Sequence, residues 1–197
     1  MGKIAWKGGA LLAPVPPTLV TSQSDERRNV FTAAWTGIIN TIPPKTYISV
    51  RPSRLSYELI AKSGGFVVNL PTERLARAVD FCGVRSGRDL DKFEALGLRT
   101  EPSPVLGLPM LCDSPVCLEC RVFETKPLGS HDMFLADIVG VCVDDALLDA
   151  AGRLRLDRAG LLAYAHGGYY ALGRYLGRFG FSVMKKKTAK KKAGNRK

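Results

Sequence analysis

The stretch that most limits what this chain can fold into is Asn29–Tyr57, NVFTAAWTGIINTIPPKTYISVRPSRLSY. Pro43-Pro44 cuts it in two, because proline can neither continue a helix nor donate to a sheet ladder. Each half is then a short apolar segment rich in β-branched and aromatic residues, which predicts strands. Small and hydroxyl side chains (Thr32, Ala33, Ala34, Thr36) surround one large aromatic, Trp35. The second segment, Tyr47-Ile48-Ser49-Val50, ends on Arg51, and Pro52, Ser53 and Ser56 follow where a helix is expected to begin. Small residues let a flat ligand approach the backbone, and a cation with hydroxyls at a helix N-terminus suits a phosphate. The same residues also read as two ordinary strands and a helix cap, and on their own they leave both readings open.

The rest of the chain extends the strand-rich pattern. Pro17–Ser22 and Asn29–Trp35 predict a hairpin turning at Ser24-Asp25-Glu26, and Thr46–Arg51 a further strand. Ser53 is the expected cap of a helix over Arg54–Lys62, which Gly64-Gly65 end. Phe66–Leu70 reads as a short buried strand. Thr72 is the expected cap of a second helix that closes at Cys82-Gly83, and Asp89–Leu96 a third that ends at Gly97. Proline-rich Arg99–Asp113 predicts a loop. Val116–Glu124 and Asp132–Asp144 predict strands joined by a turn at Pro127–Ser130, while Ala159–Leu176 reads as partly irregular. Six or seven strands with two or three helices imply a mainly β (α+β) fold, a closed β structure with the helices outside it.

At 197 residues, with 46% hydrophobic and 24% charged content, the composition is that of a soluble globular domain. No run approaches the ~18 apolar residues that span a bilayer. The lead MGKIAWKGGALLAPVPP carries only a short apolar patch broken by prolines, and Trp6 stands where a myristoylation signal needs Ser or Thr. A cytoplasmic protein is expected. The net charge is +11, but eight basic residues and no acid fall in Lys185–Lys197, which leaves +3 for the body. We therefore divide the chain into a domain over 1–180 and a disordered polybasic tail over 181–197. Such a tail is either a solvated extension or a nucleic-acid contact through counterion release. No aromatic residue interleaves its lysines as a stacking platform.

Five scattered cysteines argue against a disulfide framework. Cys117 and Cys120 form a CxxC, but strand alternation puts Val116, Leu118, Cys120 and Val122 on one face and Cys117 on the other. That separation excludes a shared metal. There is no nucleophile motif and no Gly-x-Gly-x-x-Gly fingerprint.

Four stretches in order, NVFTAAWTG with the following PP, ISVRPSRLSYELI with FVVNLP, DFCGVRSGRDLDKFEALGL, and VCLECRVF with LGSHDMF, resemble the flavin reductase-like family of FMN-binding split barrels, on its flavoredoxin side. The resemblance spans about Pro17 to Leu176. It implies a split barrel holding FMN, working with NAD(P)H or a redox protein as electron partner, and a homodimer with FMN near the subunit interface. It places the isoalloxazine against Thr32, Ala33, Ala34, Trp35 and Thr36, with Val50, Arg51 and Pro52 beside it. Arg51 would favour the phosphate or the anionic reduced ring, and Ser53, Ser56 and Tyr57 would complete phosphate or ribityl binding. Ser86, Gly87 and Arg88 form a second anion-binding candidate; Arg88 reads equally as the partner of Asp89 or Asp91. His131 sits where the family usually has a Gly-Asp-His turn, here Gly129-Ser130-His131 followed by Asp132, and is the one candidate catalytic residue. Tyr169, in GGYYALGRY, is the aromatic expected near the flavin, and Cys82 a buried thiol close by. Function is thus expected to be hydride or electron movement through FMN, with nucleic-acid binding by the tail as the competing reading.

Overall fold

Two residues decide the shape of the main sheet. β2 (Arg27–Ala33) and β3 (Thr36–Asn40) are its opposite edges, yet only Ala34 and Trp35 separate them in sequence. The sheet runs β2-β1-β5-β8-β9-β4-β3, seven strands in all. Laid flat, six strand spacings would hold the edges about 29 Å apart, whereas the Ala33–Thr36 link reaches about 11 Å at most. The sheet must therefore roll until its edges meet at one corner. It does not close there, since β2 and β3 are not paired. The result is a barrel split along one seam rather than a sealed one.

The computed structural model describes residues 1–184. The polybasic segment 185–197 lies outside the described residues, and with it the expectation of nucleic-acid contact and all of the expected disordered tail except 181–184, where Phe181–Val183 form a 3-10 turn. β1 (Thr18–Ser24) and β2 form the expected hairpin, tightly turned at Asp25-Glu26 with Asp25 left-handed (φ 52°). β4 (Lys45–Val50), β5 (Gly65–Asn69), β8 (Val116–Pro127) and β9 (Asp132–Val143) follow. β8 and β9 make a long hairpin whose turn is fixed by Leu128 N–H donating to the His131 carbonyl, with Gly129 at φ 99°.

Both faces of β1 and β2 are buried, which explains their weak alternation. Val20 and Phe31 join Ile48, Phe66 and Phe134 in the rolled interior, while Leu19 and Val30 face Val79 and Phe93 on the other side. α1 (Leu55–Ser63) sends Ile60 into the interior cluster, so it plugs the roll instead of lying outside as expected. α2 (Ala76–Val84) and α3 (Lys92–Leu96) cover the outer face of the β1–β2 hairpin. The Asp91 carboxylate caps α3 by accepting from the N–H groups of Phe93 and Glu94.

Several local expectations change. The N-cap of α1 is Arg54, not Ser53, and no side chain caps it. α2 starts from a tight 3-10 turn over Glu73–Leu75 and runs past Gly83 to Val84. The expected loop Arg99–Asp113 contains a ribbon of β6 (Thr100–Pro102) and β7 (Pro109–Leu111). The expected irregular segment contains a second ribbon, β10 (Leu162–Ala165) and β11 (Gly168–Ala171). Both are short two-stranded ribbons, whose sequence signal is too brief to read without the surface they pack on. No described helix is long and apolar enough to cross a membrane.

Cys117 and Cys120 point to opposite sides of β8, one into a small outer cluster with Val67 and Met110 and the other into the interior. Burial raises both thiols to about 12. All five cysteines are free.

Candidate functional site

Where the seam opens, the roll leaves a cleft of about 390 Å³. Its floor is the end of β2 and the link that follows, Thr32, Ala33, Ala34 and Trp35. Ala34 and Trp35 lie outside the registers of both flanking ladders, so they form a stretch of backbone between two edges. The end of β4 contributes Val50 and Arg51, the start of α1 Arg54, and the β8–β9 turn His131. The last turns of α2 add Asp80, Gly83 and Val84, and the β10–β11 ribbon adds Tyr164 and Tyr169. Thr32 Oγ1 donates to the Val79 carbonyl, which holds α2 against β2.

The cleft is cationic. Arg51 is exposed, and its guanidinium makes no hydrogen bond or ion pair among the described residues. The Arg54 guanidinium donates only to the Gly83 carbonyl, at 3.0 Å. Partial burial, together with the charges of Arg51 and Arg54, holds His131 below its ordinary pKa, so its imidazole is neutral at pH 7. Its Nδ1 is 3.0 Å from Ser130 Oγ. The one acid of the cleft, Asp80, is engaged by Tyr169, whose phenol is pushed up by burial and then by that carboxylate. Tyr169 packs on Tyr164 with ring centroids 5.5 Å apart.

Of the residues singled out in the sequence, Thr32, Ala33, Ala34, Trp35, Val50, Arg51, His131 and Tyr169 meet around this cleft. The others do not line it. Thr36 is buried and donates to the Tyr47 carbonyl at 2.6 Å. Pro52 and Ser53 are exposed on the turn before α1. Ser56 is fully buried and accepts from Asn29 Nδ2 at 2.9 Å. Tyr57 donates to Asp132 Oδ2 at 2.7 Å, a bond that raises its phenol, and packs on Phe134. Ser86 accepts from the Arg88 N–H, and Gly87 is pressed against the Asn29 carboxamide. Arg88 is ion-paired with Glu58, neither Asp89 nor Asp91, so its cation is already committed.

The reading of the sequence missed Arg54, Asp80, Gly83, Val84 and Tyr164. Arg54 stood next to Ser53 in the same motif and carried the cation a phosphate needs, so its signal was present. Asp80 and Val84 gave none: they reach the cleft only because α2 lies along β2. Cys82, one residue before Gly83, is fully buried among the outer cluster and is raised by burial to about 11.

Fold and cleft together place the chain. Residues 11–173 match the model of the flavin reductase like domain, and the chain belongs to that family. Its structure is similar to that of flavoredoxin from Desulfovibrio vulgaris (Miyazaki F), with TM-score 0.85 and 27% identity over 93% of this chain and 100% of the other. It is also similar to an FMN-binding protein from Thermus thermophilus solved with bound 1-cyclohex-2-enone, with TM-score 0.76 and 26% identity over 90% and 99% of the two chains. Among curated relatives, FMN reductase (NADH) RutF of Methylorubrum extorquens is 28% identical over 140 residues, 70% of this chain and 66% of that protein. The chain spans between about two fifths and four fifths of the length of the curated relatives it matches.

Proposed function

We propose that the seam cleft binds FMN and that the protein is a flavin-dependent oxidoreductase, passing hydride or electrons between NAD(P)H or a redox protein and the flavin. One observation carries this reading. Arg51, a guanidinium with no partner among the described residues, lines a cleft whose floor is Ala33 and Ala34. A free cation there awaits an anion, and small side chains on a strand edge leave room for a flat ring. The names of the relatives and neighbours agree with it.

The residues fit the group. Arg51 and Arg54 supply charge-assisted donors for a phosphate, and the backbone of Ala34-Trp35 offers polar groups at the ring's edge. Tyr169 and Tyr164 wall the opposite side and exclude water. His131, neutral at pH 7, can donate or accept one hydrogen bond without adding a third positive charge. Bound FMN itself supplies the hydride or electron chemistry, and the protein orients and tunes it. Ser53, Ser56, Tyr57 and the Ser86-Gly87-Arg88 loop lie beyond the cleft on the α1 side. A role for Arg88 in holding the phosphate would require its pair with Glu58 to open.

Edge strand β3 exposes Ile38 and Ile39, and Phe179, Phe181 and Val183 are also exposed. Apolar surface of this extent supports the expected homodimer, and sedimentation equilibrium tests it. The reading of the cleft is tested by the absorbance spectrum of the purified protein and identification of the released chromophore. Bands near ~370 and ~450 nm are expected of an oxidised flavin cofactor. A colourless protein that takes up no added FMN would overturn the proposal. Anaerobic mixing with NADH or NADPH then separates the two donors' classes: bleaching marks a reductase, and its absence leaves a carrier fed by a redox protein.

A further inference from the structure

The cleft does not end at Trp35. A second cavity of about 240 Å³ adjoins it and shares Trp35, Tyr164 and Gly167 with the first. Its outer wall is the N-terminal lead, Ala10–Ala13 and Val15, held in place by Val15, which pairs with Tyr164 of β10 through two backbone hydrogen bonds. Charge is segregated between the two spaces. Arg51, Arg54, Asp80 and His131 line the cleft and none of them lines this annex, where Leu11, Leu12 and Val15 dominate and His166 and Tyr164 are the polar side chains.

His166 is set in the annex by the turn that carries it. β10 and β11 are joined by the two-residue turn His166-Gly167, with both residues left-handed (φ 51° and φ 85°). A turn with positive φ at both positions favours Asn-Gly, and histidine is, with Asn and Asp, one of the non-glycine residues that adopt the left-handed region. At this position it places an imidazole on the annex wall.

We propose that the annex is the binding site for the flavin's electron-exchange substrate, and that this substrate is a neutral, planar, largely apolar ring bearing a carbonyl or nitro oxygen, of the quinone or aromatic carbonyl class. The apolar side chains of Leu11, Leu12 and Val15 contact the ring, His166 bonds its oxygen, and the shared Trp35 and Tyr164 bring it against the neighbouring cleft. A phosphorylated dinucleotide is disfavoured, because an anion in the annex would meet no arginine or lysine. The inference rests on the reading of the neighbouring cleft as the FMN site.

The test uses the full-length protein labelled with 5-fluorotryptophan, with and without FMN, titrated with 2-methyl-1,4-naphthoquinone and followed by ¹⁹F resonances. The chain has two tryptophans, Trp6 and Trp35, and only Trp35 lines the annex. The Trp35 signal is expected to shift saturably while Trp6 stays in place. His166→Asn, which keeps or improves the turn, and Leu11→Asp, in the exposed lead, are each expected to weaken quinone binding about tenfold and leave FMN affinity unchanged. No saturable shift, a shift indifferent to both substitutions, or a shift produced by NADH and not by the quinone would overturn the assignment. Displacement of FMN by the quinone would also overturn it, since the two would then share one site. If the quinone binds as expected but FMN does not bind at all, the annex stands as an aromatic-binding site and the flavin reading of the cleft fails.

Discussion

At the scale of single residues, charge is what defines the cleft. Arg51→Ala is expected to weaken FMN binding about tenfold, read by fluorescence titration, because one exposed charge-assisted contact is lost while the floor of Ala33-Ala34 remains. Unchanged affinity would place the phosphate elsewhere. His131 reports on the same contact. Burial and the two arginines hold its pKa below the ordinary value, and an anion that offsets those arginines should raise it. NMR titration of the imidazole is expected to show a rise on adding FMN, so that FMN binding takes up a proton at pH values between the free and the bound pKa. Arg51 was legible in the sequence because a lone cation closing a strand and facing a helix start has few structural uses. Arg88 was not, because its ion pair with Glu58 joins residues 30 positions apart in sequence, and nothing local marks Glu58 as its partner.

At the scale of elements, the cleft depends on how α2 and the loop after it are held to β2. Gly87→Ala is expected to destabilise the fold by about 1–3 kcal/mol in urea unfolding, since a Cβ there overlaps the Asn29 carboxamide that bonds Ser56. Lys92 is the second tie: fully buried, its ammonium donates at 2.9 Å to the carbonyls of Val30 on β2 and Cys82 on α2. Burial lowers it from 10.5 to about 8. Between those values Lys92 binds a proton in the unfolded chain that the folded one lacks, so its own contribution to stability rises with pH from about 8 towards 10.5, opposed above 9.0 by the raised thiols of Cys82, Cys117 and Cys120. Urea midpoints of the protein and of Lys92→Met at two pH values between about 8 and 9 check it, and the variant is expected to lack the Lys92 share of the rise. Helices α1 and α3 were legible from their glycine stops, and both Gly64 and Gly97 are indeed left-handed. The ribbons β6–β7 and β10–β11 were not, because three- and four-residue strands have no period long enough to recognise and exist only against the surface they cover.

At the scale of the whole molecule, every residue of the cleft lies within the body. Deleting Lys185–Lys197 is therefore expected to leave FMN affinity unchanged, and retention of the two proteins on immobilised DNA across a salt gradient measures what the lysines add. The amino-acid sequence by itself determined the strand-rich class, the breaks at Pro43-Pro44 and at the glycines, the placing of small residues beside Trp35, and the cation at Arg51. These are local matters, set by backbone preference and by which side chains stand next to one another in the chain. The tertiary structure alone decided that the sheet rolls without closing. It brings β2, β4, α2, the β8–β9 turn and the β10–β11 ribbon to one seam, leaves Arg51 free while pairing Arg88, and stands the N-terminal lead beside Trp35. The physical reason is that a two-residue link between opposite edges of a seven-stranded sheet is satisfied only by curvature of the whole sheet, and curvature belongs to no single segment.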